Sequence, residues 1–371
     1  TAYLTDGVVT SITLVSGGSG YTSVPSVFFD AGTYSTSHGM INNSSGTVNI
    51  SNNNTGSIST VGNDYYSHGF ESIYVRSGPS YTTISNNLYG SLTTANSLQT
   101  SSSAASSLIK QDIHGIYSSN TGTTIISGNI IANQTNNYSG TNTGTRTRGI
   151  QTTYGTNTIQ NNTVRNLTTS SKQSPFGSNA SLIGISQTSN IPNQIITGNT
   201  IYSLTNLTSG SNKVELYGIY YSGPVTGTNI ISENFIHSLS LSNTSTTSMI
   251  NGIVIIAGTS TFANNIINLG TGITTGYGIN GIWDDNGTNN IYFNTVYIGG
   301  TATEITSTTS ALWNTAGNSV RNYRNNIFFN ARSGGTSGSH YAIRLAGTTN
   351  LTINYNDYFV NGTGGILGFL T

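Results

Sequence analysis

The chain has 371 residues, no cysteine and zero formal net charge, and only 6% of its residues are charged. Soluble proteins usually carry about 25% charged residues, so Ser, Thr, Asn and Gly must supply the polar surface. Zero net charge gives no global field to steer nucleic acid or anionic lipid, and no apolar run reaches the ~20 residues of a membrane-spanning helix, so neither nucleic-acid binding nor membrane insertion is expected. The lack of cysteine excludes a disulfide framework and fits a secreted protein whose stability comes from a continuous core. A chain that starts at Thr1 reads as a processed form or a segment of something longer.

Residues 1–33 read as a separate β-hairpin module or cap. Val8 to Val15 and Pro25-Ser26-Val27-Phe28-Phe29 are β-rich runs joined by Gly17-Gly18-Ser19-Gly20-Tyr21, a glycine-rich turn. From residue 34 to residue 371 a different pattern takes over, in which two marks recur about ten times.

One mark is a small residue followed by a large apolar one. It runs Gly39-Met40, Gly69-Phe70, Gly115-Ile116, Gly149-Ile150, Gly184-Ile185, Gly218-Ile219, Gly252-Ile253, Gly281-Ile282, Ala311-Leu312 and Ala342-Ile343. The other is an asparagine at Asn52, Asn86, Asn129, Asn162, Asn199, Asn234, Asn264, Asn294, Asn325 and Asn356. The first mark precedes the second by 12 to 17 residues, while the full period varies from 29 to 46. A fixed unit with variable insertions is the signature of a solenoid.

Between the marks lie short β-branched or aromatic segments such as Thr124-Ile125-Ile126, Asn229-Ile230-Ile231 and Asn290-Ile291-Tyr292-Phe293. They read as strands, and no window repeats apolar residues at helical spacing. Three short strands per copy predict an all-β, parallel β-helix of about ten coils. With coils about 4.8 Å apart the rod would be about 45–50 Å long, and crossover chirality favours a right-handed winding.

The asparagines are expected to form a ladder at one corner, each amide bonding to the next coil. Its clearest rungs would be Asn162, Asn199, Asn234, Asn264 and Asn294, continuing through Asn325 and Asn356. Doublets at Asn86-Asn87, Asn161-Asn162, Asn264-Asn265 and Asn325-Asn326 leave the register open by one residue. Polar insertions at residues 93–107, 133–147, 168–181, 205–212 and 240–248 fall in one phase of the repeat, so one edge should carry a fringe of loops.

Later copies carry a more specific series: Asn294-Thr295-Val296-Tyr297-Ile298-Gly299-Gly300, Ser310-Ala311-Leu312-Trp313, Asn325-Asn326-Ile327-Phe328-Phe329-Asn330, His340-Tyr341-Ala342-Ile343 and Asn354-Tyr355-Asn356-Asp357-Tyr358-Phe359. This series resembles the secreted, right-handed parallel β-helix repeat proteins on the surface of bacteria that use type IX secretion. The resemblance implies an extracellular or cell-surface location and a structural or adhesive role, and it brings no catalytic residues.

Candidate chemistry is sparse. β-Helix enzymes that cleave polysaccharides need clustered carboxylates, and here only Asp284-Asp285, with Glu304 further on, forms a local group. Turn chemistry is the first reading of Trp283-Asp284-Asp285-Asn286-Gly287, so no catalytic residue and no cofactor is expected. The residue after each first mark should face outward, a column containing Tyr117, Tyr220, Trp283, Trp313 and Arg344. Trp283 and Trp313, with Tyr220, Asp284 and Asn314, are the candidate glycan-binding group. The competing expectation, which we favour, is that the two tryptophans stack on each other beneath a loop. His38, His68 and His114 each precede a mark, and a stacked corner ladder is favoured over a metal site there. Arg321, Arg324 and Arg332 read as a surface salt-bridge group with Asp284 and Asp285.

Two functions follow as expectations. The first is a non-enzymatic extracellular structural or adhesive protein, assembling end to end through copies of itself into filaments. The second is a carbohydrate-binding or polysaccharide-degrading protein, including a phage tailspike-like one, whose partner is a surface glycan.

Overall fold

The computed structural model describes residues 2–5, 8–12, 35–42, 45–62, 68–103, 111–140, 145–172, 176–304, 307–335 and 337–370. The chain is all-β and winds as a parallel β-solenoid of about nine turns. Three long sheets of 11, 10 and 12 strands run along it, and every strand in them pairs in parallel with its equivalents in the neighbouring turns. The turn from Arg146–Thr152 through Thr156–Gln160 to Thr163–Thr169 is representative. These segments belong respectively to what we call the first, second and third sheets.

At the amino terminus Ala2–Thr5 pairs antiparallel with Val8–Ile12. The expected strand starting at Val8 is therefore present, but its partner lies upstream; Pro25 to Phe29 falls outside the described residues. Among the described residues no helix is long and apolar enough to cross a membrane.

The interior is built from columns of like residues. In the second sheet Ile84, Ile126, Ile159, Ile196 and Ile231 stand in register and are fully buried. In the first sheet Ile116, Ile150, Ile185, Ile219, Ile253 and Ile282 do the same. β-Branched side chains suit this arrangement, because their restricted χ1 loses little on stacking.

The small residue before each first-sheet apolar residue has a steric cause. A Cβ on Gly149 would lie 2.5 Å from the Gly184 carbonyl oxygen and 2.5 Å from a Val164 methyl. The equivalent residue two turns from the start is Ser72, because Met40 pairs with Ile73 and Ile116 pairs with Ile73. Gly69-Phe70 is thus three residues out of register with the other marks. Ser72, like Ala311 and Ala342, shows that a small side chain can be accommodated at this position in some turns, so glycine alone does not mark it.

The corner between second and third sheets holds the asparagine ladder, with rungs Asn53, Asn87, Asn129, Asn162, Asn199, Asn234, Asn265, Asn294, Asn326 and Asn356. Each Nδ2 donates to the Oδ1 of the next rung at 2.8–3.0 Å. The same Oδ1 accepts the preceding rung's backbone N–H at 2.9–3.1 Å. The second Nδ2 proton goes back to a carbonyl of the preceding turn, as from Asn162 to Ile126 and from Asn199 to Ile159, both at 2.9 Å. All four hydrogen-bonding positions of the carboxamide are used.

Two expected rungs, Asn264 and Asn325, are corrected to Asn265 and Asn326, and Asn52 and Asn86 give way to Asn53 and Asn87. The residue before every rung has positive φ, among them Asn52 at 58°, Asn161 at 54°, Asn264 at 55° and Asn325 at 56°, with Gly128 and Gly198 at 64° and 66°. Asn and Gly are the residues that enter the left-handed region most cheaply. The first member of each doublet turns the corner; the second is buried.

Loops of the expected fringe join third-sheet strands to the next first-sheet strand, as between Thr200–Asn206 and Glu215–Ser222 and between Phe235–Leu241 and Met249–Ala257. They stand along one edge of the solenoid.

The register makes a testable distinction within one doublet. Asn265→Ala strips the acceptor from two buried N–H groups of Asn234 and should cost roughly 3 kcal/mol or more. Asn264→Gly relieves a left-handed residue and should change stability by no more than about 0.5 kcal/mol. Urea denaturation of the two variants checks this, and equal losses would contradict the register.

Candidate functional site

Along each first-sheet strand the chain bends at the small residue, so side chains on both sides of it face outward. The residue before it forms one column: His38, Glu71, His114, Arg148, Ile183, Tyr217, Asn251, Asn280, Ser310 and Tyr341. The residue after the apolar position forms a second: Tyr74, Tyr117, Gln151, Ser186, Tyr220, Val254, Trp283, Trp313 and Arg344. The two columns lie side by side and form a strip down the rod, in three stretches of different character.

At the amino-terminal end Glu71 lies between two histidines, 2.9 Å from His38 Nδ1 and 3.4 Å from His114 Nδ1. The rings of Tyr74 and Tyr117 stack 4.9 Å apart, and the His114 ring stacks on Tyr117 at 5.1 Å. The three-histidine column is not formed. His68 pairs with Ser35 at the start of its strand, and the position between His38 and His114 belongs to Glu71. The three-residue error at Gly69 caused this misreading. Among the described residues no group of three or more His, Cys, Asp or Glu could hold a metal ion.

The middle stretch is roofed by the loop before Leu182–Gln187, which makes one 3-10 turn at Gly177–Asn179. Beneath it Ala180, Ile183, Tyr217, Tyr220, Val254 and Trp283 form a second apolar cluster outside the solenoid interior. Arg148 is fully buried there and donates to the carbonyls of Thr147 at 2.8 Å and Ser178 at 2.7 Å. Burial, with Arg146 alongside, pulls its guanidinium down to about 9. The Tyr217 hydroxyl donates to the buried carboxylate of Glu215.

The third stretch contains the predicted glycan-binding group. Trp283 and Trp313 stack with centroids 4.5 Å apart and planes 19° apart. Phe176 packs on Trp283 at 4.9 Å, and the indole N–H donates to Thr315 Oγ1 at 3.0 Å. Trp283 is only 7% exposed and Tyr220 only 6%. Stacking beneath a loop is therefore the arrangement of Trp283, while Trp313 remains half-buried at the loop's margin. On the far side of Trp313 the Arg344 guanidinium lies 5.2 Å from the ring, and 5.8 Å from that of Tyr341.

Asp284 and Asn314 do not flank these rings. Strand alternation turns both inward, where Asp284 is fully buried and Asn314 nearly so. Asp284 accepts from Tyr323 Oη at 2.5 Å and from Asn289 Nδ2 at 2.6 Å. Arg321 donates to Asn314 and also to the carbonyls of Ser319, Gly317 and Thr349 at 2.8–3.0 Å. Asp285 points away, accepting from Thr315 at 2.6 Å, and Glu304 accepts from Thr303 at 3.4 Å. Arg321 and Arg332 are fully buried, so the expected surface salt-bridge group is not formed. Among the described residues the one arginine–carboxylate ion pair is Arg146 with Asp112, at 2.5 Å.

Beside Trp313 and Arg344 an open groove of about 290 Å³ runs between the strip and the fringe loops. Lys213, Ser248, Met249, Asn280, Ser307 and Thr308 line it with those two side chains. Sequence reading found Trp313 and Arg344 but not Lys213, Asn280 or Ser307. Asn280 is legible as the residue before the small position; Lys213 and Ser307 sit in the connections just before first-sheet strands, where the period carries no information.

Compared with protein-family models, curated proteins and solved structures, the chain matches none of them.

The buried carboxylate makes a pH prediction. Burial pushes the Asp284 pKa up from 3.8 to about 6. The folded state therefore binds this proton more tightly than the unfolded state, and its contribution to stability falls as pH rises from about 4 to about 6. Asp284→Asn keeps one of the two acceptor oxygens and removes the titration, so a pH-independent offset is expected and the pH dependence is what reports the carboxylate. The variant's stability relative to the parent should rise by roughly 3 kcal/mol between pH 4 and pH 7, read from paired denaturation curves; a flat difference would contradict the assignment.

Proposed function

We propose that this chain is a non-enzymatic structural and adhesive rod of the cell exterior, in which the solenoid holds a fringe of polar loops at fixed spacing. The observation that carries the reading is the uninterrupted ladder from Asn53 to Asn356, which ties every turn to the next without a charged group. A scaffold with that construction is uniform along its length, and what varies from turn to turn is the loop edge. The resemblance to secreted β-helix surface proteins and the charge-poor Ser, Thr and Asn surface favour an extracellular, bacterial cell-surface setting. Asp284, whose pKa burial raises to about 6, is sealed in the interior and bonded by neutral side chains, out of reach of a polymer on the outside.

End-to-end assembly belongs to this reading, because the contacts that join one turn to the next, in-register strand pairing and the rung-to-rung bond, are the same along the rod and can join two copies.

Electron microscopy and sedimentation across a concentration series test this. Filaments with an axial repeat near the about nine-turn length, roughly 45 Å at one strand spacing per turn, are the expected result. Discrete single rods at every concentration would overturn the assembly reading.

A further inference from the structure

We propose that the groove beside Trp313 and Arg344 binds the carboxylate of an acidic sugar chain, a uronate-containing glycan, and is the adhesive site of the rod. This inference rests on the reading of the chain as an adhesive scaffold.

Four observations carry it. Arg344 is held in place by rings and not by acids: Trp313 and Tyr341 lie 5.2 and 5.8 Å from its guanidinium carbon, and its Nε has no hydrogen-bond partner. An arginine fixed in this way presents a planar fork whose other edge is free for a carboxylate. Lys213 also lines the groove, ion-paired at 2.8 Å with the buried Glu215 carboxylate. Among the described residues no carboxylate lines the groove, so an anion entering it meets the Arg344 cation without a carboxylate on the walls, the Glu215 charge behind them being paired with Lys213.

Buried polar atoms also lie unpaired at the groove. Ser307, which lines it, is 2% exposed and its Oγ has no partner. Asn280, also in the lining, donates to Asn251 Oδ1 at 2.8 Å; Asn251 Nδ2 and Ser310 Oγ, on strand positions behind the lining, are likewise buried without partners. Buried polar groups are nearly always satisfied, and hydroxyls of a bound sugar are the matching chemistry. Thr246, Thr247 and Thr308 extend the polar wall, and Met249 with the Trp313 edge gives it an apolar face. At about 290 Å³ the groove lies at the small end of ligand pockets, which begin at roughly 300 Å³. It suits a sugar unit of a chain that runs on along the open edge. Because the whole molecule carries no net charge, recognition must come from the local Arg344 charge and the groove's polar walls and not from a general field.

The test is titration calorimetry of the full chain with an oligogalacturonate, a neutral oligogalactose of the same length, and an oligoglutamate. The uronate should bind at least 10-fold more tightly than either of the others. Arg344→Met should lower that affinity by 10-fold or more and Lys213→Met by several-fold, with the near-ultraviolet circular dichroism of the stacked Trp283–Trp313 pair unchanged. Arg344→Lys, which keeps the charge and loses the fork, should also bind more weakly. Equal affinity for oligoglutamate would show that the groove reads charge alone and would overturn the glycan assignment. Uronate binding that survives Arg344→Met, or no uronate binding by a chain that still forms rods, would overturn the site while leaving the scaffold reading intact. New reducing ends on the bound uronate would instead overturn the non-enzymatic reading itself.

Discussion

One constraint governs this molecule: at the corner where second sheet meets third, the backbone turns outward and leaves its N–H groups facing the interior. A buried N–H without a partner costs about 1–3 kcal/mol, and the corner repeats in every turn. The asparagine carboxamide answers this because it carries two acceptor positions and two donors in one plane. Its oxygen takes two N–H groups from the turn before, and its nitrogen passes one bond forward and one back. Aspartate could accept but not donate, and glutamine would overreach. A left-handed residue just before the rung completes the turn, even where Glu233, Phe293 or Tyr355 must adopt it at 56–57°. Those three turns carry the local strain that Asn or Gly avoids elsewhere.

The same economy explains where the few charges went. Of 11 basic residues, Arg148, Arg321 and Arg332 are fully buried, and each donates to backbone carbonyls. Arg332 reaches the carbonyls of Ile273, Thr275 and Gly299 at 2.8–3.2 Å. These carbonyls belong to loops that leave the sheet ladders and would otherwise be short of donors. Arginine, with five donors in a rigid fork, pins several at once. The buried arginines thus act as clamps that fasten irregular loops to a regular core.

The solenoid was legible from sequence because stacking imposes the same demand every turn, so the marks recur: asparagine at the corner, small residue at the bend, isoleucine inside. Legibility failed wherever one demand can be met by two residue types or where two residues compete for one role. In Asn264-Asn265 either residue could be the rung, and only the left-handed φ of the first decides. Ser72 occupies the bend where most turns have glycine, and the nearby Gly69-Phe70 mimics the mark, so the pattern aligns His68 with His38 and His114 although the fold puts Glu71 there. Asp284 and Asn314 follow the tryptophans in sequence, which suggests companions, but alternation sends successive side chains to opposite faces. The roof over Trp283 and the groove residues Lys213 and Ser307 come from connections between strands, whose positions no period encodes.

The strip on the outer face shows how an otherwise uniform rod acquires local character. Where the loop at Gly177–Asn179 folds over it, aromatic side chains become a second core; where the loop stops, Trp313 and Arg344 are left at the margin of an open groove. The whole arrangement depends on the corner ladder keeping the turns in register. Native-state hydrogen exchange tests that dependence most directly. The backbone amides and side-chain Nδ2 protons of Asn162, Asn199 and Asn234 should be among the slowest to exchange in the chain. Exchange of these protons at the rate of the fringe loops would contradict the account.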